Sequence, residues 1–527
     1  MKRGITHLLV LLLLMPLVAV AQNTFNNPIL RAVMSAYDEQ IEEMPEDYFA
    51  YFARGKEYYN LGWYDEALAD FNQAIKYMPE KAVEDMSQAY TLRALIYHKR
   101  GKMNLALDDL NNALQLMPSS QYSLLVRADL LCDMGDYEHA KNDYQLILRR
   151  DARSQDAYLG LARVAYKEKN MGMCDDYLVK ARNANSSNPQ FYLDRGALYE
   201  EMQQPSKAAD DYVSAILYGE SKQAVKALNA LSTYAYKEVI ASLTVGIEQS
   251  EDKGFLYYVR AGIHKNCHRL SESIKDWNII VENNYLFYHT VFFNRGFCYM
   301  HLGQFEYAIE DLNRAIRLKD KQYGYYVERS RVYRIMGQYD KAHEDLSVAA
   351  TFDPTCVEVL QEKALLAMEQ GNYEQAIGLC NEAIMYNADD ASLYLLRAEN
   401  FKRLNDSEGA ARNYEMVLNL ATDIYAISSL RGFALACLGR TAEAEVWMEE
   451  VLNNVTDDVA QRHYHAACLY AQTGNDVKAY KHLEQAFKAG YGDYYNIYFY
   501  SDSPVTLAPL RNSADFRAIV QGYGDVF

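Results

Sequence analysis

Residues 48–81 read YFAYFARGKEYYNLGWYDEALADFNQAIKYMPEK, and their pattern of small and aromatic residues returns along the chain. Small residues such as Gly55 and Ala74 let two helix backbones approach closely, and the larger residues fill the space beside them. Gly62 is placed to end a first helix in a left-handed cap, and Pro79 is placed to end a second helix. The stretch therefore predicts two helices joined by a short turn.

This pattern recurs about every 34 residues, which is the spacing of stacked helix–turn–helix units. It resembles the tetratricopeptide repeat, and the resemblance covers residues 48–493. The resemblance implies an all-α, right-handed superhelical solenoid of about thirteen repeats, whose surface binds partners. We number the repeats 1 to 13 and count positions from their first residues, which are 48, 87, 121, 155, 189, about 220, 254, 289, 323, 357, 391, 425 and 460.

Two places depart from the regular spacing. Five additional residues follow repeat 1, around Lys81–Asp85. Repeat 6 is degenerate over about 220–253, because it is short and lacks the turn glycine. Only Leu243 and Gly246 stand at recognisable packing positions there. We expect a bend or a change of superhelical pitch at both places.

The array is flanked by two segments that we interpret as caps. Residues 22–47 read like the second helix of a repeat and predict an N-terminal capping helix, or half repeat. Residues 494–527 predict a C-terminal helical cap. Caps of this kind cover the apolar ends of a repeat array, which would otherwise face water.

The N-terminus has the three parts of a secretory signal. Lys2 and Arg3 precede an apolar run from Leu8 to Val20, and a small-residue cleavage motif ends at Ala21. The run is shorter than the ~20 residues needed to span a bilayer. We therefore expect residues 1–21 to be a cleaved signal peptide, and the protein to be exported to the periplasm or secreted, without a membrane span after cleavage.

Composition narrows the classes of partner. The 527 residues carry a formal net charge of −18, and an acidic chain repels phosphate backbones, so we expect no nucleic-acid partner. The eight cysteines show no paired spacing, and buried free thiols are the favoured interpretation. The oligomeric state is left open by the sequence.

No catalytic motif and no cofactor-binding motif is present, so we predict no catalytic residues, no cofactor and no enzyme activity. The nearest approach to a metal site is His264, Cys267 and His268, which share a helix face. Structural zinc usually takes four protein ligands, and His264 stands where other repeats have tyrosine. We therefore predict a core role for His264 and no metal site. His463, His465 and Cys468 form a weaker version of the same pattern.

A charge pattern repeats inside the array. Seven repeats carry arginine at position 7 and aspartate at position 23, and we predict that each pair ties two helices together. Exposed ion pairs contribute only about 0–1 kcal/mol each, so such pairs would set register more than stability. The pairs are Arg54/Asp70, Arg93/Asp109, Arg127/Asp143, Arg195/Asp211, Arg260/Asp276, Arg295/Asp311 and Arg329/Asp345.

The resemblance also implies a groove lined by positions 2, 5, 9, 12 and 13 of the first helices. On these positions we predict a partner-binding site in repeats 7 to 9, with aromatic anchors and positive charge that select acidic segments. The segment Tyr491–Tyr500 is the second choice. The predicted site residues are Phe255, Tyr258, Lys265, Phe293, Phe297, Met300, Arg331 and Arg334.

Three functions remain open at this point. The favoured function is a non-enzymatic, exported scaffold that binds a protein or peptide partner on the concave face. The first alternative is an accessory factor for cell-envelope or carbohydrate assembly or uptake, whose tyrosines stack on sugars. The second alternative is an enzyme with an unrecognised site. The chain has 46 tyrosines, and at the level of sequence the aromatic residues on the groove positions suit binding anchors and helix packing equally well.

Overall fold

The structure is a computed structural model that describes residues 28–219, 221–285, 288–421, 428–454, 459–493, 496–497 and 506–523. Within these ranges the regular secondary structure is helical and contains no strand, which confirms the predicted all-α class. The chain divides into an N-terminal unit, residues 1–198, and a C-terminal unit, residues 199–527. The predicted signal peptide, residues 1–21, lies outside the described residues.

The N-terminal unit contains α1 (Pro28–Glu43), α2 (Tyr48–Leu61), α3 (Tyr64–Tyr77), α4 (Val83–Lys99), α5 (Met103–Leu116), α6 (Gln121–Asp133), α7 (Tyr137–Arg150), α8 (Gln155–Lys167) and α9 (Met171–Ala184). The boundary between the units falls within α10 (Pro189–Glu201).

The C-terminal unit continues with α11 (Pro205–Leu217), α12 (Ser221–Gln249), α13 (Gly254–Asn266), α14 (Leu270–Glu282), α15 (Tyr288–His301), α16 (Phe305–Leu318), α17 (Tyr323–Ile335), α18 (Tyr339–Phe352), α19 (Val357–Glu369), α20 (Tyr373–Tyr386), α21 (Ala391–Arg403), α22 (Ser407–Leu420), α23 (Ser428–Cys437), α24 (Thr441–Asn454), α25 (Val459–Gln472), α26 (Asp476–Lys488) and α27 (Ala514–Gly522).

Repeat 1 shows how the sequence pattern produces a helix pair. Gly62 ends α2 with a φ of +79°, and its backbone N–H donates to the Tyr59 carbonyl at 3.0 Å. Glycine adopts this left-handed conformation with little strain. Ala74 and Phe71 are fully buried, and Phe71 packs so close to Gly55 that a Cβ there would lie 3.0 Å from its ring. The small residues thus make room for the large ones.

The left-handed turn persists where glycine is absent. Lys169 and Asn405 occupy the turn position of repeats 4 and 11, and their φ angles are +61° and +60°. Residues with a Cβ are strained in this conformation. The packing of the two helices therefore determines the turn even against the preference of the residue.

The two predicted irregularities have local structural causes. The additional residues after repeat 1 lengthen the next first helix, because α4 begins at Val83 and has 17 residues. Repeat 6 forms two helical segments within α12, which meet at a sharp kink at Ala235, where φ is −131° and ψ is 45° and the backbone is not helical. Leu243 and Gly246 are buried there, as predicted.

The arginine–aspartate pairs within the two units are confirmed. In six repeats, arginine Nε and Nη2 donate to the two carboxylate oxygens at 2.6–2.9 Å. These aspartates are only 2–6% exposed, so the expectation of exposed pairs is wrong. The remaining pair, Arg195 and Asp211, has one member in each unit. The six pairs are those of Arg54, Arg93, Arg127, Arg260, Arg295 and Arg329.

The same arginines also contact the preceding repeat, which the sequence analysis missed. Their Nη1 atoms donate at 2.5–2.9 Å to a side chain on the second helix that precedes their own repeat. In most cases the accepting residue stands at position 25 of the preceding repeat. In repeat 11, Arg397 keeps this contact to Asn381 although Asn413 replaces the aspartate. The acceptors are Asp38, Asn72, Asn111, Thr244, Asn278 and Asn313.

Aromatic rings at positions 4 and 11 flank these guanidinium groups. The guanidinium carbons of seven position-7 arginines lie within cation–π distance of the ring at position 4. Arg93, for example, is 5.4 Å from the Tyr90 ring centroid and 5.9 Å from that of Tyr97. Arg329 lies in the same way at 5.7 Å from Tyr326 and 5.9 Å from Tyr333. Helix packing around arginine therefore accounts for a share of the tyrosines.

Each of the two cap segments contains a helix, α1 at the N-terminal end and α27 at the C-terminal end. Leu30, Val33 and Tyr37 are the buried residues of α1. At the other end, Leu510 and Phe516 pack into the core of repeats 11 to 13. The eight cysteines all lie in the described residues and form no disulfide there, and five of them are buried. Among the described residues no helix combines the length and apolarity needed to cross a membrane.

Candidate functional site

A groove in the C-terminal unit contains three of the predicted site residues. It has a volume of about 350 Å³ and is bounded by the first half of α12, by α13, and by single residues of α14 and α15. Phe255, Tyr258 and Lys265 lie on it at positions 2, 5 and 12 of repeat 7, which confirms that these positions share a face. We call this the aromatic groove; its lining includes Lys222, Val225, Asn229, Phe255, Tyr258, Lys265, Trp277 and Asn294.

The aromatic wall of the groove consists of three rings in contact with one another. The rings of Phe255 and Tyr258 lie nearly parallel, with centroids 6.4 Å apart, and Tyr258 meets the buried Trp277 edge-on at 5.2 Å. Trp277 is 1% exposed, whereas Phe255 and Tyr258 are partly exposed. The wall thus presents two ring surfaces to the groove while its base is anchored in the core.

Lys265 is one of two lysines, with Lys222, that line the aromatic groove. Its Nζ donates to Asn294 Oδ1 at 2.7 Å and lies 5.3 Å from the ring centroid of Phe297. Burial lowers the pKa of Lys265, and the nearby Cys298 and Glu328 oppose this only in part. Within the described chain no carboxylate forms an ion pair with Lys265. Its ammonium group is therefore desolvated but held by neutral partners.

The predicted residues of repeat 8 take different places. Phe293 is half-buried, with its ring 4.8 Å from that of Tyr325, and Phe297 lies 4.2 Å from the His301 ring. Met300 is fully buried at 0% exposure. The prediction that Met300 lines a surface is therefore wrong, because its side chain fills the core between α15 and its neighbours.

The two predicted arginines of repeat 9 belong to a network of glutamates. Arg331 donates to Glu328 at 2.6 Å and to Glu362 at 3.4 Å, and Arg334 donates to Glu362 at 2.7 Å and also to Glu369. Arg334 is only 5% exposed. The prediction that these arginines make the site positive is therefore wrong, because the surrounding carboxylates neutralise them.

The glutamates of this network were missed, and they come from repeat 9 itself, as Glu328, and from repeat 10, as Glu362 and Glu369. Burial disfavours ionisation of Glu362, yet Arg334 and Arg331 lower its pKa overall. Burial also disfavours the Arg331 cation, and Glu328 and Glu362 raise its pKa nonetheless. One residue in the sequence could have revealed this network. Glu362 stands at an inner position of repeat 10, beside the two arginines of repeat 9.

The second-choice segment, Tyr491–Tyr500, is described only at 491–493 and 496–497. Tyr491 is 1% exposed and stacks on Tyr464, with ring centroids 4.4 Å apart. The described tyrosine of this segment is therefore a packing residue. The other four tyrosines and Phe499 lie outside the described residues.

His264 has the predicted core position. It is 6% exposed, and its Nδ1 lies 2.7 Å from the Tyr236 hydroxyl. Burial, with the charges of Arg260 and Arg269, lowers the pKa of His264 to about 4. Among the described residues, no group of three or more histidine, cysteine and acidic side chains is arranged to hold a metal ion.

Comparisons with known proteins agree with the repeat pattern. The chain is 27% identical to the BBSome complex member BBS4 of Bos taurus over 124 residues, and this stretch covers 24% of each chain. It is 24% identical to DnaJ homolog subfamily C member 3 of Gallus gallus over 173 residues, and this stretch covers 29% of this chain and 33% of that protein. The chain thus spans a quarter to a third of these curated relatives.

Among solved structures, yeast Tom70 aligns with 91% of this chain and 95% of its own, at 16% identity and a TM-score of 0.34. Family models described as tetratricopeptide repeat match segments in both units of the chain. The matched residues are 48–81, 87–120, 125–172, 290–321 and 333–399.

Proposed function

This chain is a tetratricopeptide-repeat protein, and from that premise we propose that it is an exported, non-enzymatic scaffold that binds a protein partner in the aromatic groove. The observation that carries the proposal is Lys265. It is a half-buried ammonium group with an amide and a ring as its close partners, and within the described residues no carboxylate lies at salt-bridge distance from it. A carboxylate from a partner would supply the missing counter-charge.

The surroundings of Lys265 define the rest of the ligand. Phe255 and Tyr258 offer ring surfaces for apolar or aromatic side chains, which are the usual anchors of protein interfaces. Asn229 and Asn294 border the groove and carry amide groups that bind a peptide backbone. The chemistry therefore fits an extended segment with a carboxylate between apolar side chains.

A matched pair of peptides tests this assignment. The probes are the acetylated, amidated pentapeptide Gly-Phe-Glu-Phe-Gly and its glutamine counterpart, with binding followed by fluorescence anisotropy. We expect the glutamate peptide to bind about tenfold more tightly, and Lys265→Met to remove this preference. Lys275→Met, on the exposed side of α14, is the control and should keep it. Equal binding of the two peptides by the wild-type protein would reject the proposal.

Export is tested separately. Expressed with its full N-terminus in a bacterial host, the protein should appear in the periplasmic fraction with a mature N-terminus at Gln22, as read by mass spectrometry. Intact chains that begin at Met1 and stay in the cytosolic fraction would contradict it. The outcome is independent of the peptide experiment.

The carbohydrate alternative uses the same ring surfaces and stays a prediction. Soluble oligosaccharides added to the peptide titration provide a direct comparison, because sugars and apolar side chains would compete for Phe255 and Tyr258. Competition that survives Lys265→Met but is lost in Tyr258→Ala would favour the alternative.

A further inference from the structure

The segment that follows α26 contacts repeats 7 and 8 of the same unit. Arg269 Nη2 donates at 2.7 Å to the carbonyl of Ala489, which stands 220 positions later in the chain. The guanidinium lies on Gly490, where an added Cβ would be 1.6 Å from Arg269 Cζ and where φ is +94°. Only glycine satisfies both conditions. We call residues 489–493 the C-terminal strap.

The strap is anchored in the core of the last repeats. Tyr491 is 1% exposed and belongs with Leu507 and Leu510 to the hydrophobic cluster of repeats 11 to 13. Within the described chain this cluster contains no residue of repeats 7 and 8. On that side the strap makes individual contacts, which include the Arg269 hydrogen bond and a ring contact of Tyr491 with His268 at 5.2 Å. The strap is therefore a part of repeat 13 and its cap that reaches repeats 7 and 8 through single side chains.

Asp493 is the strap residue that contacts α15. Its Oδ2 lies 3.0 Å from Nδ1 of His301. Asp493 is 3% exposed, and it also accepts hydrogen bonds from the backbone N–H of Asn496 at 3.0 Å and from Asn496 Nδ2 at 2.7 Å. A buried carboxylate with several donors keeps one orientation. Asp493 therefore offers a fixed acceptor to the imidazole of His301.

His301 connects the strap to the aromatic groove. His301 and Phe297 stand one turn apart on α15, and their ring centroids are 4.2 Å apart. Phe297 also contacts Lys265, whose Nζ lies 5.3 Å from the Phe297 ring centroid. A continuous series of contacts therefore joins Asp493 to the ammonium group that lines the groove.

The position of the Lys265 ammonium group depends on the residues that hold it, because a lysine side chain is long and flexible. Asn294 is one of them, and its own Nδ2 donates to the Thr290 carbonyl at 2.8 Å, which fixes the direction of the amide. Phe297 is the second, and its half-buried ring contacts both Lys265 and His301. Ordering a flexible side chain before a partner binds raises affinity, since less conformational entropy is lost on binding. A ring held by His301 therefore prepares the lysine for a partner carboxylate.

We infer that Asp493 is a positioning residue for the aromatic groove and acts on Lys265 through His301 and Phe297. Asp493 is not among the residues that line the groove, so it acts on the partner only through α15. The inference rests on the proposed function and gives the C-terminal cap a part in it. Coupling between two sites is reciprocal, so a partner that holds Lys265 also stabilises the strap.

The first test observes Lys265 by NMR without any ligand. The full chain is isotopically labelled at lysine Cε, and the Lys265 signal is identified by its loss in Lys265→Met. Protons that lie over an aromatic ring resonate upfield, so this signal should be shifted upfield in the wild type and lose that shift in Phe297→Leu. Asp493→Ala and His301→Ala should each move the signal towards its position in Phe297→Leu. A Lys265 signal that keeps its wild-type position in either variant would overturn the inference.

Tyr464→Phe is the matched control for a general loosening of the strap. It removes the 2.9 Å hydrogen bond from the Tyr464 hydroxyl to the Asn496 carbonyl and keeps the ring that stacks on Tyr491. The contact of Asp493 with α15 stays, so the Lys265 signal should keep its wild-type position. A shift as large as that in Asp493→Ala would mean that any disturbance of the segment reaches the groove, and the positioning role of Asp493 would be rejected.

The second test uses the two pentapeptides. Asp493→Ala should lower the preference for the glutamate peptide from about tenfold to about threefold. The double variant Phe297→Leu with Asp493→Ala should match Phe297→Leu alone, because the series of contacts is already interrupted. A preference that persists undiminished in Asp493→Ala would contradict the inference. If the wild type binds both peptides equally, the proposed function fails, and the NMR signal of Lys265 still decides whether Asp493 positions it.

Discussion

At the scale of single residues, the arginine at position 7 makes the main polar contacts of six repeats. It joins the two helices of its own repeat through a carboxylate and reaches the preceding repeat through Nη1. Because the aspartates are buried, the loss of one leaves a buried cation without its counter-charge. These pairs therefore contribute to stability as well as to register.

We predict that Asp311→Ala destabilises the C-terminal unit by about 3–5 kcal/mol, the usual effect of removing one partner from a buried ion pair. Arg295, the partner, is 8% exposed. Asp311→Asn should cost less, because Arg397 is held by Asn413 in repeat 11. Urea denaturation followed by circular dichroism measures both. Asp320→Ala removes an exposed aspartate and serves as control; a similar loss there would argue against the pair.

A second prediction concerns the turn of repeat 4. Lys169 has a φ of +61°, where a Cβ is strained, so Lys169→Gly should stabilise the N-terminal unit by about 1 kcal/mol. The expected result is a small rise in melting temperature. Lys167→Gly, inside α8, should lower it instead. A fall in melting temperature for Lys169→Gly would mean that its side chain stabilises the turn.

Much of the residue-scale picture follows from the repeat pattern. Phe255, Tyr258 and Lys265 share one groove because helical spacing places them on one face. The sign of the charge around Arg331 could not be predicted from the repeat pattern, because the glutamates that pair with Arg331 come from both its own helix and the next repeat. Periodicity predicts which residues of one helix share a face, but the pairing of side chains between repeats depends on rotamers and distances that a pattern does not contain.

At the scale of elements, α12 is the largest departure from the repeat. A regular repeat ends its first helix at a left-handed residue, whereas α12 continues through a kink at Ala235. The missing glycine predicted an irregular repeat. The direct kink between two helical segments, without a left-handed turn, could not be predicted, because α12 owes its path to packing against α11 and α13 and not to a local signal.

We predict that the second half of α12 depends on Gly246. A Cβ at this position would lie 2.6 Å from Cγ1 of Val213 in α11, so Gly246→Leu should force the two helices apart and cost about 1–3 kcal/mol through overpacking. Hydrogen exchange should then rise in both helices. Val245→Leu, at a neighbouring exposed position, is the control. Unchanged protection in Gly246→Leu would show that α11 and α12 can shift without loss.

At the scale of the whole molecule, buried histidines make stability depend on pH. The pKa of His264 is lowered from 6.5 to about 4, chiefly by burial, and that of His482 is lowered to about 4 in the same way. Between these values the unfolded chain binds protons that the folded chain does not, so the free energy of unfolding falls as the pH falls.

The corresponding prediction compares the wild type with His264→Gln. The stability that His264 contributes is fully present above pH 6.5 and is lost as the pH falls towards about 4, at roughly 1.4 kcal/mol per unit of pKa difference. The melting-temperature advantage of the wild type should therefore shrink between pH 7 and pH 5. A constant advantage across this range would mean that His264 titrates normally in the folded protein.

The contact of Arg269 with Ala489 and Gly490 has a consequence for how this array can change during evolution. Open solenoids gain and lose whole repeats by duplication, because each repeat touches only its neighbours. In the C-terminal unit, one repeat more or fewer between Arg269 and Ala489 would displace the carbonyl from its 2.7 Å hydrogen bond and carry Asp493 away from His301. The sequence of an individual repeat can depart from the pattern, as that of repeat 6 does. The number of repeats between Arg269 and Ala489 is constrained, because these contacts require it.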